Sequence, residues 1–188
     1  LQRAQPAEVM VVQELGFVRG HVGVRRAVVL AALAGEAQLQ GFAHGLRRRR
    51  VALGAQARLC TVIGDDADGA IFRSEATNLG IAQAGILSDR ERLTTRKTRI
   101  VARHQQVIRL DRETVAPLSA ALEKRLRARI ASAVRAADAV ILSDYAKGVL
   151  TPAVCRAVIA AAGSRPVLVD PKSLPWEPFR GATVLKPN

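Results

Sequence analysis

The chain has 188 residues, 49% of them hydrophobic, enough to bury the core of one domain or part of one. Twenty-four Arg and five Lys stand against 16 acids, for a net charge of +13, yet only six residues are aromatic, too few to serve as the stacking platforms of a single-strand nucleic-acid binder. No apolar run approaches the ~20 residues of a membrane helix, and the two cysteines, Cys60 and Cys155, cannot form a disulfide scaffold and read as small core residues of a reducing compartment.

Residues 1–50 hold eight Arg, no Lys and three acids, and end in Arg47-Arg48-Arg49-Arg50. That run suits phosphate but reads first as solvated charge. Arg25-Arg26 ahead of the apolar residues 27–34 has the outline of a secretory signal, although it lies well inside the chain and is at the short limit for one. Residues 9–12 and 28–33 fit either short strands or pieces of helix, and their periodicity does not choose.

From residue 51 the pattern sharpens. Residues 58–63 are a β-rich apolar run and predict a strand. Gly64-Asp65-Asp66-Ala67-Asp68-Gly69 follows, with acids where a helix N-terminus favours them, and a helix is expected over about 70–79. The spacing of Asp66, Asp68, Gly69 and Glu75 nearly matches a calcium loop, but Gly64 stands at the first ligand position and a strand precedes it, so a metal is not expected. Residues 94–102 and 105–111 form a hairpin around Arg103-His104, carrying Arg96, Lys97, Arg99, Arg103 and Arg109, several of which must share a face. Residues 117–137 form an amphipathic helix, with Leu118, Leu122, Leu126, Ile130 and Val134 on one side and a solvated basic face on the other.

Three strand-like runs then share one layout. Residues 139–142 lead into Ser143-Asp144-Tyr145, residues 167–169 into Asp170-Pro171-Lys172, and residues 183–185 into Lys186-Pro187-Asn188. A helix over about 152–162, closed by Gly163, separates the first two, which implies a right-handed crossover and a parallel sheet. Ligands of such sheets bind beyond the carboxyl ends of the strands. Asp144 there could accept hydrogen bonds from a sugar hydroxyl or pair with Lys147; Lys172 could serve as a point charge for phosphate; Asn188 could reach a phosphate or a metal-bound water. Together with the basic hairpin these groups suit a phosphorylated small molecule. There is no Walker A loop, no Gly-x-Gly-x-x-Gly after a strand and no Gly-x-Ser-x-Gly elbow, and His21, His44 and His104 lack metal-ligand spacing.

Several segments, in order, resemble a known family. They are Val51-Ala52-Leu53-Gly54-Ala55, Val62-Ile63-Gly64-Asp65-Asp66, Lys97-Thr98-Arg99, Arg103-His104-Gln105-Gln106, Arg109-Leu110-Asp111, Leu142-Ser143-Asp144-Tyr145-Ala146-Lys147-Gly148, Val169-Asp170-Pro171-Lys172, and Arg180-Gly181-Ala182-Thr183 with Lys186-Pro187-Asn188. Over residues 51–188 the chain resembles ribokinase-like carbohydrate kinases, most closely the kinase domain of bacterial heptose 7-phosphate kinases. The resemblance implies a partial ribokinase-like three-layer α/β fold, a mostly parallel sheet with flanking helices and a small β lid at about 93–111. It implies ATP-dependent phosphorylation, with Mg2+, of the anomeric hydroxyl of D-glycero-β-D-manno-heptose 7-phosphate, feeding ADP-heptose and lipopolysaccharide core synthesis in the cytoplasm. Lys97, Arg99, Arg103, Gln105, Gln106 and Asp144 would contact the sugar phosphate, and Lys172 and Asn188 would face ATP and its magnesium. No nucleic-acid or membrane partner is expected; lids of some family members form dimer contacts, so a homodimer is an expectation.

The chain departs from the family's pattern in three places. Lys186 stands where Thr is usual. Gly45 to Arg50 replaces the Gly-Gly-x-x-Asn sugar stretch expected before Val51, so residues 1–50 are expected to be an unassigned lead-in, out of frame or disordered; translation of the upstream DNA in the other frames checks this. Asn188 matches the start of an Asn-x-x-Glu motif whose downstream Gly-Ala-Gly-Asp supplies the catalytic base, so the resemblance leaves these 188 residues without a base and inactive as a kinase. The alternatives are another ribokinase-like sugar kinase, or a non-catalytic ligand-binding remnant.

Overall fold

Ala139–Ser143 is buried at every position, the pattern of a strand covered on both faces rather than one. In the computed structural model, which describes residues 26–31, 56–102, 105–172 and 175–186, this segment lies inside a six-stranded parallel sheet. The strands are β1 (Arg26–Ala31), β2 (Gln56–Gly64), β3 (Ile86–Asp89), β6 (Ala139–Ser143), β7 (Val167–Asp170) and β8 (Val184–Leu185), while β4 (Arg96–Ala102) and β5 (Gln105–Arg112) form a separate antiparallel pair. The sheet order is β3-β2-β1-β6-β7-β8. Strands β1 to β3 therefore build towards one edge and β6 to β8 towards the other, and the order reverses between β1 and β6. A doubly wound sheet opens a crevice at such a reversal, outside the carboxyl ends.

Helices α1 (Ala67–Asn78), α2 (Ala120–Arg135) and α3 (Pro152–Ala162) start at side-chain caps. Asp66 accepts from the Gly69 amide at 2.8 Å, Ser119 from Leu122 at 3.4 Å and Thr151 from Val154 at 3.2 Å. Pro152 fits the first turn of α3, where its missing N–H costs nothing. Helix α2 buries Leu122, Leu126, Ile130, Ala133 and Val134, and α3 buries Val154, Cys155, Val158 and Ala162. These meet Cys60, Val62, Val140, Leu142, Val167 and Val169 in one core. The alternate positions Leu59, Ile63 and Ile141, buried as well, belong to the opposite face of the sheet.

The strands at 58–63, 139–142 and 167–169 and the helix at 152–162 form as expected, with one or two residues added at strand ends. The two other helices are shifted: α1 begins three residues early because Asp66 caps it, and α2 is confined to 120–135 by Ser119 and by 3₁₀-type closure of Ala136 on Ala133. Strand β3 was not anticipated; its four residues are too few to show a period, and its pairing with Thr61–Gly64 defines it. Strand β1 lies within residues 1–50, and its backbone pairs in register with β2 on one side and β6 on the other.

Leu126 is fully buried at the centre of the α2 contact. Leu126→Ala is expected to lower unfolding free energy by about 2–5 kcal/mol in urea or guanidinium titration; a loss below about 1 kcal/mol would mean that α2 does not pack on the sheet as described.

Candidate functional site

The carboxyl ends of β6, β7 and β8 bring the three predicted loops side by side. The Asp144 amide donates to the Asp170 carbonyl at 2.9 Å, and the Lys186 amide to the Val169 carbonyl at 2.9 Å. Asp144, just past the end of β6, is thus a neighbour of Asp170 at the end of β7. Burial raises the Asp170 carboxyl above its ordinary value, Lys186 partly offsets this, and the charge on Asp144 pushes it further up. Its Oδ1 atom is buried without a hydrogen-bond partner. Below the same edge, burial and then Asp144 push the Cys155 thiol up to about 12, so it is an inert core residue.

The loop after β6 is tightly shaped. The Asp144 side chain accepts from the Ala146 amide at 2.8 Å, closing a turn that holds Ala146 at φ +53°, a left-handed conformation that costs a non-glycine residue about 1–3 kcal/mol. Gly148 follows at φ +73°, and a Cβ there would lie 2.0 Å from the Ala116 carbonyl oxygen. Only glycine lets this loop touch the segment that leaves the hairpin.

The β4–β5 hairpin is rooted on the same edge. Asp66, the cap of α1, also accepts from the Thr94 amide at 3.0 Å, and the Gly64 amide donates to Thr94 Oγ1 at 2.8 Å. The entry to the hairpin is therefore pinned to the end of β2. Burial raises the Asp66 carboxyl, but the hydrogen bonds from Thr94 and Gly69 and the charge of Arg112 outweigh it and hold it below its ordinary value. The exit is held by Arg92, only 6% exposed. Its guanidinium donates to the carbonyls of Thr114 at 3.2 Å, Lys147 at 2.9 Å and Ala116 at 2.6 Å, tying the hairpin's exit to the loop that carries Asp144. Alternating charges run along the hairpin base: Arg109 Nε lies 2.8 Å from Asp111, Lys97 Nζ 2.8 Å from Asp111 and 3.7 Å from Glu113, and Lys147 Nζ 2.6 Å from Glu113.

Of the residues expected in the site, Lys97 and Asp144 are joined to one structural unit through Glu113, Lys147 and Arg92, and exposed Lys172 stands at the end of the adjacent β7. Lys147 pairs with Glu113, not with Asp144. Arg103 and Asn188 lie outside the described residues, and the Arg99, Gln105 and Gln106 positions are described as backbone strand only. The near-calcium loop is accounted for otherwise: Asp66 caps α1, and Asp68 pairs with Arg96 at 3.4 Å and Arg112 at 3.9 Å. Among the described residues no group of three or more metal-ligating side chains occurs. Arg92, Thr94 and Glu113 have no role assigned by sequence; they act through contacts more than 20 positions away, which no local pattern shows.

Residues 51–188 match the pfkB family of carbohydrate kinases. The bifunctional protein HldE of Pelobacter propionicus is 45% identical over 150 residues, 79% of this chain and 31% of that protein. The protein of the same name from Wolinella succinogenes is 41% identical over 155 residues, 81% and 33% respectively. The matched segment thus spans about a third of these relatives' length. Among solved structures, a possible 1-phosphofructokinase from Thermotoga maritima aligns with TM-score 0.58 at 11% identity, and Arabidopsis thaliana ribokinase complexed with ribose and ATP with 0.54 at 15%, each over 87% of this chain and 60% of the other. These likenesses establish the ribokinase-like α/β fold.

Two variants test the geometry. Arg92→Met leaves three part-buried carbonyls without their charged donor and is expected to cost about 1–3 kcal/mol by denaturant titration, with faster hydrogen exchange in the hairpin; unchanged exchange would show that Arg92 does not anchor it. Asp170→Asn should act in the opposite direction. The folded pKa of Asp170 lies above the ordinary 3.8, so the folded chain binds more protons than the unfolded one in that window and stability falls as pH rises through it. Asp170→Asn is expected to raise Tm at pH 7, with the gain vanishing below the ordinary value; a lower Tm at pH 7 contradicts the assignment.

Proposed function

The chain belongs to the pfkB family of carbohydrate kinases, and from that premise we propose that it is the sugar-phosphate-binding part of a heptose 7-phosphate kinase. The reaction is transfer of the γ-phosphoryl group of ATP to the anomeric hydroxyl of D-glycero-β-D-manno-heptose 7-phosphate, giving the 1,7-bisphosphate for ADP-heptose and lipopolysaccharide core synthesis. The observation that carries this reading is the rooting of a cationic hairpin on the strand ends: Thr94 on β2 and Arg92 on the loop bearing Asp144. A lid so rooted closes over whatever lies against Asp144, and its cations meet the far, phosphorylated end of a sugar.

In this reading Asp144 accepts a hydrogen bond from a sugar hydroxyl, and Lys97, Arg99 and Arg103 neutralise the 7-phosphate, with Gln105 and Gln106 donating beside them. Lys172 and Asn188 hold the ATP phosphates. The donors at this edge suit a hydrated Mg2+: Asp170 has a buried, unpartnered oxygen beside Asp144, and Mg2+ typically takes one or two carboxylates with phosphate oxygens. When bound, the ion would neutralise charge on the transferring phosphoryl group. The protein's share is positioning and water exclusion by the lid. The substrates place the reaction in the cytoplasm, in keeping with two buried free thiols; among the described residues no helix is long and apolar enough to cross a membrane.

Isothermal titration of the 188-residue chain tests the proposal. Heptose 7-phosphate is expected to bind at least about 10-fold more tightly than the unphosphorylated heptose, and Lys97→Met to weaken the phosphorylated ligand by about 10-fold or more, the loss of one charge-assisted contact. Equal affinity for the two sugars, or preferential salt-sensitive binding of DNA, would sink it.

A further inference from the structure

The lid cation assigned to the substrate phosphate is not free. Lys97, whose side chain is 12% exposed, donates to Asp111 Oδ2 at 2.8 Å, while the other oxygen of that carboxylate accepts from Arg109 at 2.8 Å. Glu113 Oε2 approaches Lys97 at 3.7 Å, is buried, and has no hydrogen-bond partner. Its Oε1 accepts from Lys147, which stands on the same loop as Asp144. Two carboxylates thus face three cations, Lys97, Arg109 and Lys147, in a continuous row. The pair of negative charges around Lys97 is what a phosphate monoester, with charge of about −1.5 to −2, would supply.

We propose that Asp111 is a specificity-determining residue: it neutralises Lys97 and Arg109 when no substrate is present, so that a phosphoryl group displaces it and a singly charged or neutral sugar end does not. This rests on the reading of Lys97 as a phosphate contact. The physical reason is a difference of charge. A phosphate that takes Lys97 and Arg109 from Asp111 more than replaces the charge it removes. A carboxylate exchanges like for like and gains nothing, and a hydroxyl leaves the cations under-neutralised. Glu113 keeps Lys97 in place during the exchange, because its unpartnered oxygen is already beside the ammonium, which can donate three bonds.

The test uses the 188-residue chain with two probes, heptose 7-phosphate and glucuronate, the latter a sugar with one negative charge. Wild type is expected to bind the phosphate and discriminate strongly against glucuronate. Asp111→Asn, which keeps the shape and removes the charge, should bind the phosphate about 3- to 10-fold more tightly and lower the phosphate-to-glucuronate ratio at least about 3-fold. Asp111→Glu should restore the wild-type ratio. An unchanged ratio in a folded Asp111→Asn chain, with Lys97→Met still weakening phosphate binding, overturns this inference and leaves the site reading intact. No effect of Lys97→Met overturns both. A global loss of affinity for both probes, not rescued by Asp111→Glu, would show that Asp111 only supports the fold and would also overturn the inference.

Discussion

The guanidinium of Arg92 holds together segments that the chain separates widely. It bonds carbonyls 22, 24 and 55 residues away, from the two sides of the junction between hairpin and sheet. A backbone carbonyl in a loop has no ladder to satisfy it, and leaving it buried without a donor costs about 1–3 kcal/mol. A single planar cation that serves several such oxygens lets three loops converge on one side chain. The left-handed Ala146, the glycine at 148 and the pairing of Lys147 with Glu113 all depend on that convergence.

The sheet supplies the fixed side of the site. Its strand order reverses between β1 and β6, so the crevice falls beside Ser143 and Asp144, and the hairpin rises from the neighbouring end of β2. The same edge gathers Asp144, Asp170 and Lys186 at the ends of consecutive strands. Packing of α2 and α3 beneath one face keeps those strand ends in register, which links the buried leucines of α2 to the spacing of polar groups some distance above them.

Much of this was legible in the sequence where local rules decide. Thr151-Pro152 and Gly163 are strong start and stop signals, and α3 occupies the interval between them. The repeated strand–polar loop layout predicts the parallel edge, and β6, β7 and β8 pair in that way. Beyond these, local rules say little. Strand β3 has four residues and owes its existence to a neighbour. Strand β1 sits in an arginine-rich segment whose composition obscures a run of Ala, Val and Leu. Arg92 looks like any loop arginine until Thr114 and Lys147 are placed beside it. Lys97 and Arg109 of the hairpin were legible as charges, but not as charges already answered by Asp111 and Glu113, because partners on opposite strands depend on register.

That register contains one irregularity. Ile100 pairs with Ile108 but Val101 pairs with Gln106, so Val107 is an extra residue on β5 and is 66% exposed. A strand alternates with period two, and a single added residue reverses the count for everything beyond it. On the base side Lys97 lies opposite Asp111 and Arg99 opposite Arg109; past the bulge the position in step with them is Gln106, an even number. Deleting Val107 alone would close the bulge and leave Gln106 opposite Val101 and Gln105 opposite Ala102, so the partners of the tip would not change. The one added residue is thus what puts even-numbered Gln106 in step with odd-numbered Asp111 and Arg109: the pairing of the hairpin tip would survive its loss, while the local bend and added twist would not.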